Sequence, residues 1–345
     1  MSLLVNARFL TQPTTGVQRF AREIVTALAD QGPLRLLAPP GAPQSFAGMP
    51  VEIVGRRSGQ SWEQLDLARA ARGGTLLNLG NTGPLSCGAR RFVVIHDAGV
   101  FDTPESYSAA FRAWYRTLHF SLPRLGARIV TVSDFSRLRL AANLRLDPAR
   151  IAVMPEGGEH ILRDPADAAL LARHGLRPGH YALAVGTRAA HKNLGALQAA
   201  AGLLAARGMV LAVAGAADAS VFRNAGDPNS AVALGRVSDA ELRALYENAL
   251  CLLFPSRYEG FGLPPLEAMW CGCPVLAAEA GAVPEIVGDA ALFFDAEGPR
   301  SPAAALARLL DEHSLRDRLI AAGHARARAY SWHEAATRLR EIIAA

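Results

Sequence analysis

The chain has 345 residues, of which 50% are hydrophobic and 19% are charged. That length exceeds what one hydrophobic core ordinarily fills, and the composition excludes a disordered protein. The net charge of +5 is spread over many arginines that are not interleaved with aromatic clusters. It is consistent with anionic substrates or a membrane surface, and it argues against nucleic acid as a partner.

The four cysteines form no CxxC pair and no metal-binding spacing, which favours a reducing compartment. The N-terminus lacks an apolar core long enough for a signal peptide, and no window approaches the roughly 20 apolar residues of a membrane span. We therefore expect a cytoplasmic protein that is either soluble or bound peripherally at the inner face of the cell membrane.

The first half alternates short apolar runs with helical patterns, as α/β proteins do. Strands are predicted at residues 2–5, 34–38, 51–54, 75–79, 92–95, 129–132 and 151–154. Gly16 lies between the first strand and a helix that Gly32 and Pro33 end, and such a turn can cradle a phosphate. Neither G-x-G-x-x-G nor G-x-x-x-x-G-K is present, which excludes a Rossmann fingerprint and a P-loop.

His96 follows directly on the buried strand predicted at 92–95. Strand ends of open α/β sheets carry the groups that bind ligands, so His96 is a candidate site residue. The alternative is a histidine whose ring is satisfied inside the core. A helix predicted at 104–121 follows and carries Tyr107, Phe111 and Tyr115 at helical spacing. This aromatic face is either core or a surface for a lipid-linked acceptor or the membrane interface.

The segment 164–178 is predicted to be a linker with a short helix, so we place the domain boundary after residue 165. The second domain then begins with a strand at 181–185, followed by Gly186, Arg188, Lys192 and a helix predicted to reach Arg207. Cations are slightly disfavoured at a helix start, so this pair indicates a bound anion there. The alternative is a solvated pair of charges.

The most informative stretch is residues 250–276. An apolar strand at 250–254 leads into a polar loop at 255–262, and Pro264 and Pro265 suit the first turn of the next helix. Glu259 falls in the loop and Glu267 is predicted in the first helical turn, eight positions later (267 − 259). The glycines around Phe261, Gly260 and Gly262, allow the backbone to approach a ligand and offer amide donors. Amides favour an anion and carboxylates suit hydroxyl groups, so the predicted ligand is a sugar nucleotide.

This stretch resembles the E-x7-E signature of the retaining glycosyltransferases of family four, and within them the mannosyltransferase-like enzymes of bacterial polysaccharide and lipopolysaccharide synthesis. The runs 235–238 and 272–275 share the resemblance. It implies the GT-B architecture: an α/β fold with two Rossmann-like domains facing across a cleft. Residues 1–165 would bind the acceptor and 166–330 the nucleotide sugar, with a helix in 331–345 crossing back to the first domain.

The resemblance also implies roles for individual residues. Glu259 would bind the sugar hydroxyls, His96 would orient the sugar, and Arg188 and Lys192 would stabilise the departing phosphate. Glu267 would bind the ribose. The other predicted donor-binding residues are Gly16 at the diphosphate, Val237 at the base through its backbone, and Gly186, Gly260, Phe261 and Gly262.

The implied reaction is retaining transfer from a nucleoside-diphosphate sugar, either GDP-mannose or a related GDP-deoxysugar, to a hydroxyl of a glycan or lipid-linked acceptor. No D-x-D pair stands at a strand end, so no metal or other cofactor is expected. Two alternatives stay open at this point. One is a nucleotide-sugar epimerase on the same scaffold, and the other is a non-catalytic subunit that binds nucleotide sugars.

Overall fold

The computed structural model describes residues 3–187, 189–215, 231–295 and 300–345. The chain divides into two compact units, of which unit 1 is Met1–Glu156 with Trp332–Ala345 and unit 2 is Gly157–Ser331. The sequence places the boundary after residue 165, whereas this division falls after Glu156. The difference arises because the 3-10 turn Glu159–Leu162 packs on helices of unit 2.

Within the described residues, unit 1 forms an eight-stranded sheet in the order β3-β4-β2-β1-β5-β6-β7-β8. Every pairing is parallel except that of β3 with β4. The central strands are apolar along their length because helices cover both faces. The strands are β1 Leu3–Asn6, β2 Leu34–Ala38, β3 Ser45–Phe46, β4 Met49–Ile53, β5 Thr75–Asn78, β6 Arg90–Val94, β7 Arg128–Thr131 and β8 Ile151–Val153.

Two of the longer helices of unit 1, α5 and α6, begin where a serine side chain caps them. Ser108 accepts the amide of Phe111, and Ser133 accepts the amide of Ser136. A π-helical turn, Trp62–Leu67, joins two short helices. The helices are α1 Gly16–Asp30, α2 Gly59–Ser61, α3 Ala68–Ala70, α4 Gly99–Asp102, α5 Ala109–Arg124 and α6 Asp134–Leu144.

The described part of unit 2 forms a six-stranded parallel sheet in the order β11-β10-β9-β12-β13-β14. Its strands are β9 Tyr181–Val185, β10 Val210–Ala214, β11 Ala231–Gly235, β12 Cys251–Phe254, β13 Val275–Ala278 and β14 Ala291–Phe294. Its helices are α7 Ala169–Arg173, α8 Gln198–Ala205, α9 Asp239–Asn248, α10 Leu263–Trp270, α11 Val283–Val287, α12 Pro302–Asp311 and α13 His313–Ala327. Both units are therefore parallel α/β structures, and the predicted fold class is confirmed.

The C-terminal helix α14, Trp332–Ala344, belongs to unit 1 and packs on α1. The Trp332 ring lies edge-on to Phe20 with the ring centroids 5.9 Å apart. Arg340 donates to the carbonyl oxygen of Leu28, in the last turn of α1, and to that of Gly32, just beyond the end of this helix. These bonds satisfy carbonyls that a helix end otherwise leaves unpaired.

Two predicted helices differ from the observed ones. The helix predicted to reach Arg207 is replaced after Lys192 by one 3-10 turn, Leu194–Leu197, and the eight-residue α8, because Asn193 adopts a left-handed conformation at φ 49°. The aromatic helix starts at residue 109 instead of 104, where Ser108 caps it.

Candidate functional site

The loop after β12 carries three of the six predicted donor-binding residues of unit 2. Gly260, Phe261 and Gly262 are buried, and the Phe261 ring packs edge-on against Tyr330. Gly262 precedes α10 in the left-handed region at φ 111°, where a side chain would be strained. The glycine is therefore required for the chain to enter α10 at this angle.

Glu259 is held in place through its backbone by the segment that follows β13. Its carbonyl oxygen accepts the amide of Ala282 at 3.0 Å. Gly281 lies so close that a Cβ atom there would be 2.7 Å from the Glu259 nitrogen, and its φ is 62°. The position of Glu259 therefore depends on Gly281, which lies outside the E-x7-E motif.

Lys192 and Glu259 form an ion pair, with Lys192 Nζ 2.6 Å from Glu259 Oε1. The two side chains are only 19% and 13% exposed, so solvent screens this pair less than a surface pair. The two loops that carry them are tied together, because the amide of Arg257 and the hydroxyl of Ser256 both donate to the carbonyl oxygen of His191. The structure therefore brings together the predicted lysine and the predicted glutamate.

Gly186 ends β9 beside this pair. A Cβ atom at Gly186 would lie 3.7 Å from the stem of Lys192, which is ordinary contact, so this glycine is not required for space. The neighbouring Gly215 is more constrained, because a Cβ atom there would be 2.3 Å from the Gly186 carbonyl oxygen. The predicted partner Arg188 lies outside the described residues.

Glu267 is buried, and both of its carboxylate oxygens are engaged inside unit 2. Oε1 lies 3.1 Å from His160 Nε2, and Oε2 accepts the hydroxyl of Tyr246 at 3.1 Å. Burial, together with the charge of Glu267, raises the pKa of Tyr246 well above its usual value, so this phenol stays protonated and acts as a donor. Its two partners fix the orientation of the Glu267 carboxylate.

The expectation that Glu267 falls in the first turn of its helix is wrong. The helix begins at Leu263, so Glu267 is its fifth residue, and the first turn holds no acidic side chain. The reason is the glycine entry at Gly262, which allows the helix to start before its two prolines. Glu267 consequently gains less from the helix dipole than expected, and neighbouring donors hold it instead.

Val237 lies just beyond β11 and is half-buried. The next residue, Ser238, caps α9 in a capping box with Glu241. The backbone contact of Val237 with a base stays a prediction.

In unit 1, His96 is buried just beyond the end of β6. Its Nδ1 lies 3.2 Å from Glu156 Oε1, and its Nε2 lies 3.1 Å from the carbonyl oxygen of Leu79. Because a carboxylate and a carbonyl both accept, this geometry fits a ring that carries protons on both nitrogens. Burial lowers the pKa of His96, but the hydrogen bond and charge of Glu156 outweigh it, so the net pKa is raised.

Gly16 is the first residue of α1, and Thr15 caps that helix in a capping box with Gln18. Among the described residues, no atom lies within 4 Å of where a Cβ atom of Gly16 would be. Space is therefore open above this helix start. Its contact with a diphosphate stays a prediction.

Sequence reasoning missed three residues that complete these clusters. No role was assigned to Glu156, and neither His160 nor Tyr246 was singled out. His160 is 107 positions from Glu267, and Glu156 is 60 positions from His96. No spacing rule reaches so far. The one indication in the sequence is that these ionisable residues occur in segments that are otherwise expected to be buried.

No group of three or more His, Cys, Asp or Glu side chains in the described ranges is arranged to hold a metal ion. No helix within the same ranges is long and apolar enough to cross a membrane.

Comparison with known proteins places residues 174–326 in a family model described as "Glycosyl transferases group 1". The chain is 33% identical over 262 residues to O-antigen chain mannosyltransferase B of Escherichia coli, a match that covers 72% of this chain and 68% of that protein.

Two solved structures share the fold over nearly the whole length. WaaG, a glycosyltransferase involved in lipopolysaccharide biosynthesis, superposes with a TM-score of 0.73 at 16% identity and 99% coverage of both chains. HepE of Anabaena, in complex with UDP and glucose, superposes with a TM-score of 0.79 at 16% identity, covering 100% of this chain and 99% of that one. At this identity the likeness concerns the fold alone.

Proposed function

This chain belongs to the group 1 glycosyl transferases, and we propose that it transfers mannose, or a related deoxysugar, from a GDP-linked donor to a hydroxyl of a glycan or lipid-linked acceptor. The family predicted from the Glu259–Glu267 motif is confirmed by the family model and by the similar mannosyltransferase. Neither alternative, an epimerase or a non-catalytic subunit, finds support among these relatives. We propose mannose as the transferred sugar because the similar protein is named as a mannosyltransferase.

The ion pair of Lys192 and Glu259 is the observation that carries the proposal. A partly buried ammonium group at the end of a parallel strand suits the β-phosphate that leaves with the nucleotide. Its carboxylate partner suits the hydroxyl groups of the sugar on that phosphate. As the bond from the anomeric carbon to the phosphate oxygen breaks, the lysine charge would stabilise the oxygen that gains negative charge.

We propose retention by displacement on one face of the sugar. A double displacement needs a carboxylate nucleophile about 5 Å from a second carboxyl group. Glu259 is paired with Lys192, and Glu267 is held by His160 and Tyr246. These pairings favour a reaction in which the acceptor oxygen bonds to the anomeric carbon while its proton passes to the departing phosphate. In this proposal protein cations, Lys192 with Arg188, take the place that a metal ion holds in other transferases.

The remaining predicted contacts stay part of the proposal. Glu267 would bind ribose hydroxyls, and Val237 would meet the base. Gly16 would approach the diphosphate, and His96 would orient the sugar. Gly186 and the buried run 260–262 would offer backbone to the donor.

The sequence offers an unusually clean test, because Lys192 is the only lysine among the 36 Lys and Arg residues. Reductive methylation with ¹³C-formaldehyde would label one side chain and the terminal amine. We expect the Lys192 signal to shift when GDP is added, and more strongly than with UDP. If no nucleoside diphosphate shifts the Lys192 signal, the assignment of Lys192 to the diphosphate is wrong.

Transfer activity tests the same residue. Replacement of Lys192 with alanine should lower transfer from GDP-mannose by about 10²–10³-fold, as loss of one charge-stabilising group does, while circular dichroism shows that the fold is retained. The matched control is Arg207→Ala, which removes a solvent-exposed cation of unit 2 that pairs with Asp311. Near-normal turnover of the lysine variant would sink the proposal.

We also propose a peripheral contact of unit 1 with the inner face of the cell membrane. Phe120 and Leu125, at the end of α5, are 42% and 52% exposed. The Arg124 guanidinium lies 3.4 Å from the centre of the Phe120 ring, so apolar and cationic groups share this surface. Phe120→Ser should weaken flotation with phosphatidylglycerol vesicles, and unchanged flotation would remove this part of the proposal.

A further inference from the structure

The ammonium group of Lys192 is already balanced by a negative charge inside unit 2. Glu259 Oε1 lies 2.6 Å from Lys192 Nζ, and the two side chains are 19% and 13% exposed. Because solvent screens such a pair only in part, the carboxylate offsets much of the attraction that the lysine exerts on an anion. A diphosphate that approaches Lys192 therefore meets a pair without net charge.

The loops that carry the two residues are held in place by other bonds. The carbonyl oxygen of His191 accepts the amide of Arg257 at 2.8 Å and the hydroxyl of Ser256 at 3.2 Å. Ser256 is 1% exposed, so water does not compete for this hydroxyl. The carbonyl oxygen of Glu259 accepts the amide of Ala282 at 3.0 Å. The ion pair is therefore not needed to join the loops, and its charges are available to act on a ligand.

Each partner of the pair retains capacity for a ligand. An ammonium group has three N–H donors, of which Glu259 takes one. Glu259 Oε2 accepts no hydrogen bond within the described part of the chain. Lys192 Nζ lies over the buried ring of Phe254, 5.7 Å from its centre, which closes that side of the ammonium group. One ligand can thus contact the remaining N–H groups and the second carboxylate oxygen together.

The donor and the product of the proposed transfer differ in charge and in hydroxyl groups. In the donor, the terminal phosphate carries a sugar whose hydroxyl groups can donate to a carboxylate. Transfer breaks the bond from the anomeric carbon to the phosphate oxygen, which keeps the electron pair and takes the proton of the acceptor hydroxyl. A terminal phosphate loses this proton again at about pH 6, so at neutral pH the product is more negative than the donor.

We propose that Glu259 discriminates between donor and product. The inference rests on the proposed function, since it concerns the nucleotide that the transfer leaves behind. Glu259 attracts the sugar of the donor through hydrogen bonds to Oε2, and it repels the additional charge of the free nucleoside diphosphate. The same carboxylate therefore favours binding of the donor and hastens release of the product.

A diphosphate site without this carboxylate would have the opposite preference. An unpaired ammonium group binds the more highly charged anion more tightly, and that anion is the product. The enzyme would then be inhibited by the nucleotide that it makes. Pairing Lys192 with Glu259 offsets this preference and still leaves the cation in place when negative charge develops on the phosphate oxygen.

The test is isothermal titration of the intact chain with GDP and, separately, with GDP-mannose, both without acceptor. In Glu259→Gln the amide oxygen can still accept from Lys192, so the variant keeps the size and the hydrogen bond and loses the charge. The matched control is Glu279→Gln, which removes an exposed carboxylate of unit 2 that pairs with Arg300. Circular dichroism checks that both variants are folded.

We expect Glu259→Gln to bind GDP about tenfold more tightly than the parent protein, because a nearby like charge has been removed. GDP-mannose should not bind more tightly, since the amide is a weaker acceptor for the sugar hydroxyls and this offsets the gain. The preference for donor over product should therefore fall about tenfold, and GDP should inhibit transfer more strongly. The control should match the parent protein.

The signal of the single lysine provides a second measurement that a purely structural role of Glu259 would not explain. After ¹³C-methylation and without nucleotide, the Lys192 signal should differ between the parent protein and Glu259→Gln, and it should be unchanged in Glu279→Gln. Identical signals in all three proteins would mean that the pair does not form in solution, and the inference would be wrong.

Equal changes in the affinities for GDP and GDP-mannose would also overturn the inference, as would weaker GDP binding by Glu259→Gln. If the parent protein transfers from GDP-mannose in that case, the proposed function stands and only this inference is lost. If the parent protein transfers nothing while Glu259→Gln still binds GDP more tightly, the proposed function is lost. A nucleotide site with a repelling carboxylate then remains.

Discussion

Each unit buries one histidine against one glutamate, but a different member of the pair bridges two named groups. In unit 1 both nitrogens of His96 are engaged, by Glu156 and by the carbonyl oxygen of Leu79. In unit 2 both oxygens of Glu267 are engaged, by His160 and by Tyr246. Two acceptors therefore surround His96 in unit 1, and two donors surround Glu267 in unit 2.

This contrast indicates what each unit prepares. A histidine whose two N–H groups both donate within unit 1 is a fixed positive charge, which can attract a nearby negative group without a direct hydrogen bond. A carboxylate that two donors hold has a fixed orientation, which suits a neighbouring pair of hydroxyl groups. The partners also keep each group from rotating away before a ligand arrives, so little ordering remains to be done on binding.

Among changes to these buried pairs, the largest effect should follow from Glu267→Gln. The amide can still accept from Tyr246, but its NH₂ group would face His160 Nε2 and force that ring into its other tautomer. We expect GDP affinity and transfer to fall by about 100-fold or more, since the pair is buried and loses a charge. Isothermal titration with GDP measures it, with the exposed Glu279→Gln as control. Unchanged affinity would show that the fixed carboxylate has no part in nucleotide binding.

His119 sharpens the comparison, because it is a buried histidine of unit 1 without a carboxylate partner. Its pKa of about 4 lies below the usual value of about 6.5. Between pH 6.5 and pH 4 the unfolded chain binds a proton at His119 and the folded chain does not. The free energy of unfolding is therefore unaffected above pH 6.5 and decreases as the pH falls towards 4. The decrease in the free energy of unfolding should approach about 3 kcal/mol in the parent protein and be absent in His119→Gln. Urea unfolding at pH 7 and pH 4.5 measures it, and parallel losses in both proteins would contradict the assignment.

Glu156→Gln tests the opposite direction of pKa shift, at another buried histidine of unit 1, His96. The pKa of His96 is raised, so its contribution is present below about pH 6.5 and is lost as the pH rises through the folded value. The variant should be less stable than the parent by about 2 kcal/mol at pH 6, the value of a hydrogen bond to a charged group. The difference should shrink towards pH 9. A stability gap that does not change with pH would mean that His96 is neutral.

The sequence predicts the frame of this molecule better than its paired groups. The apolar runs predicted at 181–185 and 250–254 are strands that lie almost wholly buried in the sheet of unit 2, and the glycines around Phe261 mark the loop. The break after Lys192 is not predicted, because a left-handed Asn193 is not visible in helical periodicity. The pair of Glu156 with His96 depends on which strand ends meet, and the pair of His160 with Glu267 depends on how a 3-10 turn packs against α10. Both are properties of the tertiary fold and not of local pattern.

The smallest effect, and the sharpest test of the saturated carboxylate, should come from Tyr246→Phe. This change removes one donor from Glu267 and keeps the ring that fills the core. A hydrogen bond to a charged group contributes about 1.5 kcal/mol or more, so GDP affinity should fall by about tenfold and stability by a similar free energy. If the partners of Glu267 serve only to satisfy a buried charge, stability falls and GDP affinity stays constant. A loss of affinity that matches the loss of stability would instead show that the orientation of Glu267 is what the nucleotide requires.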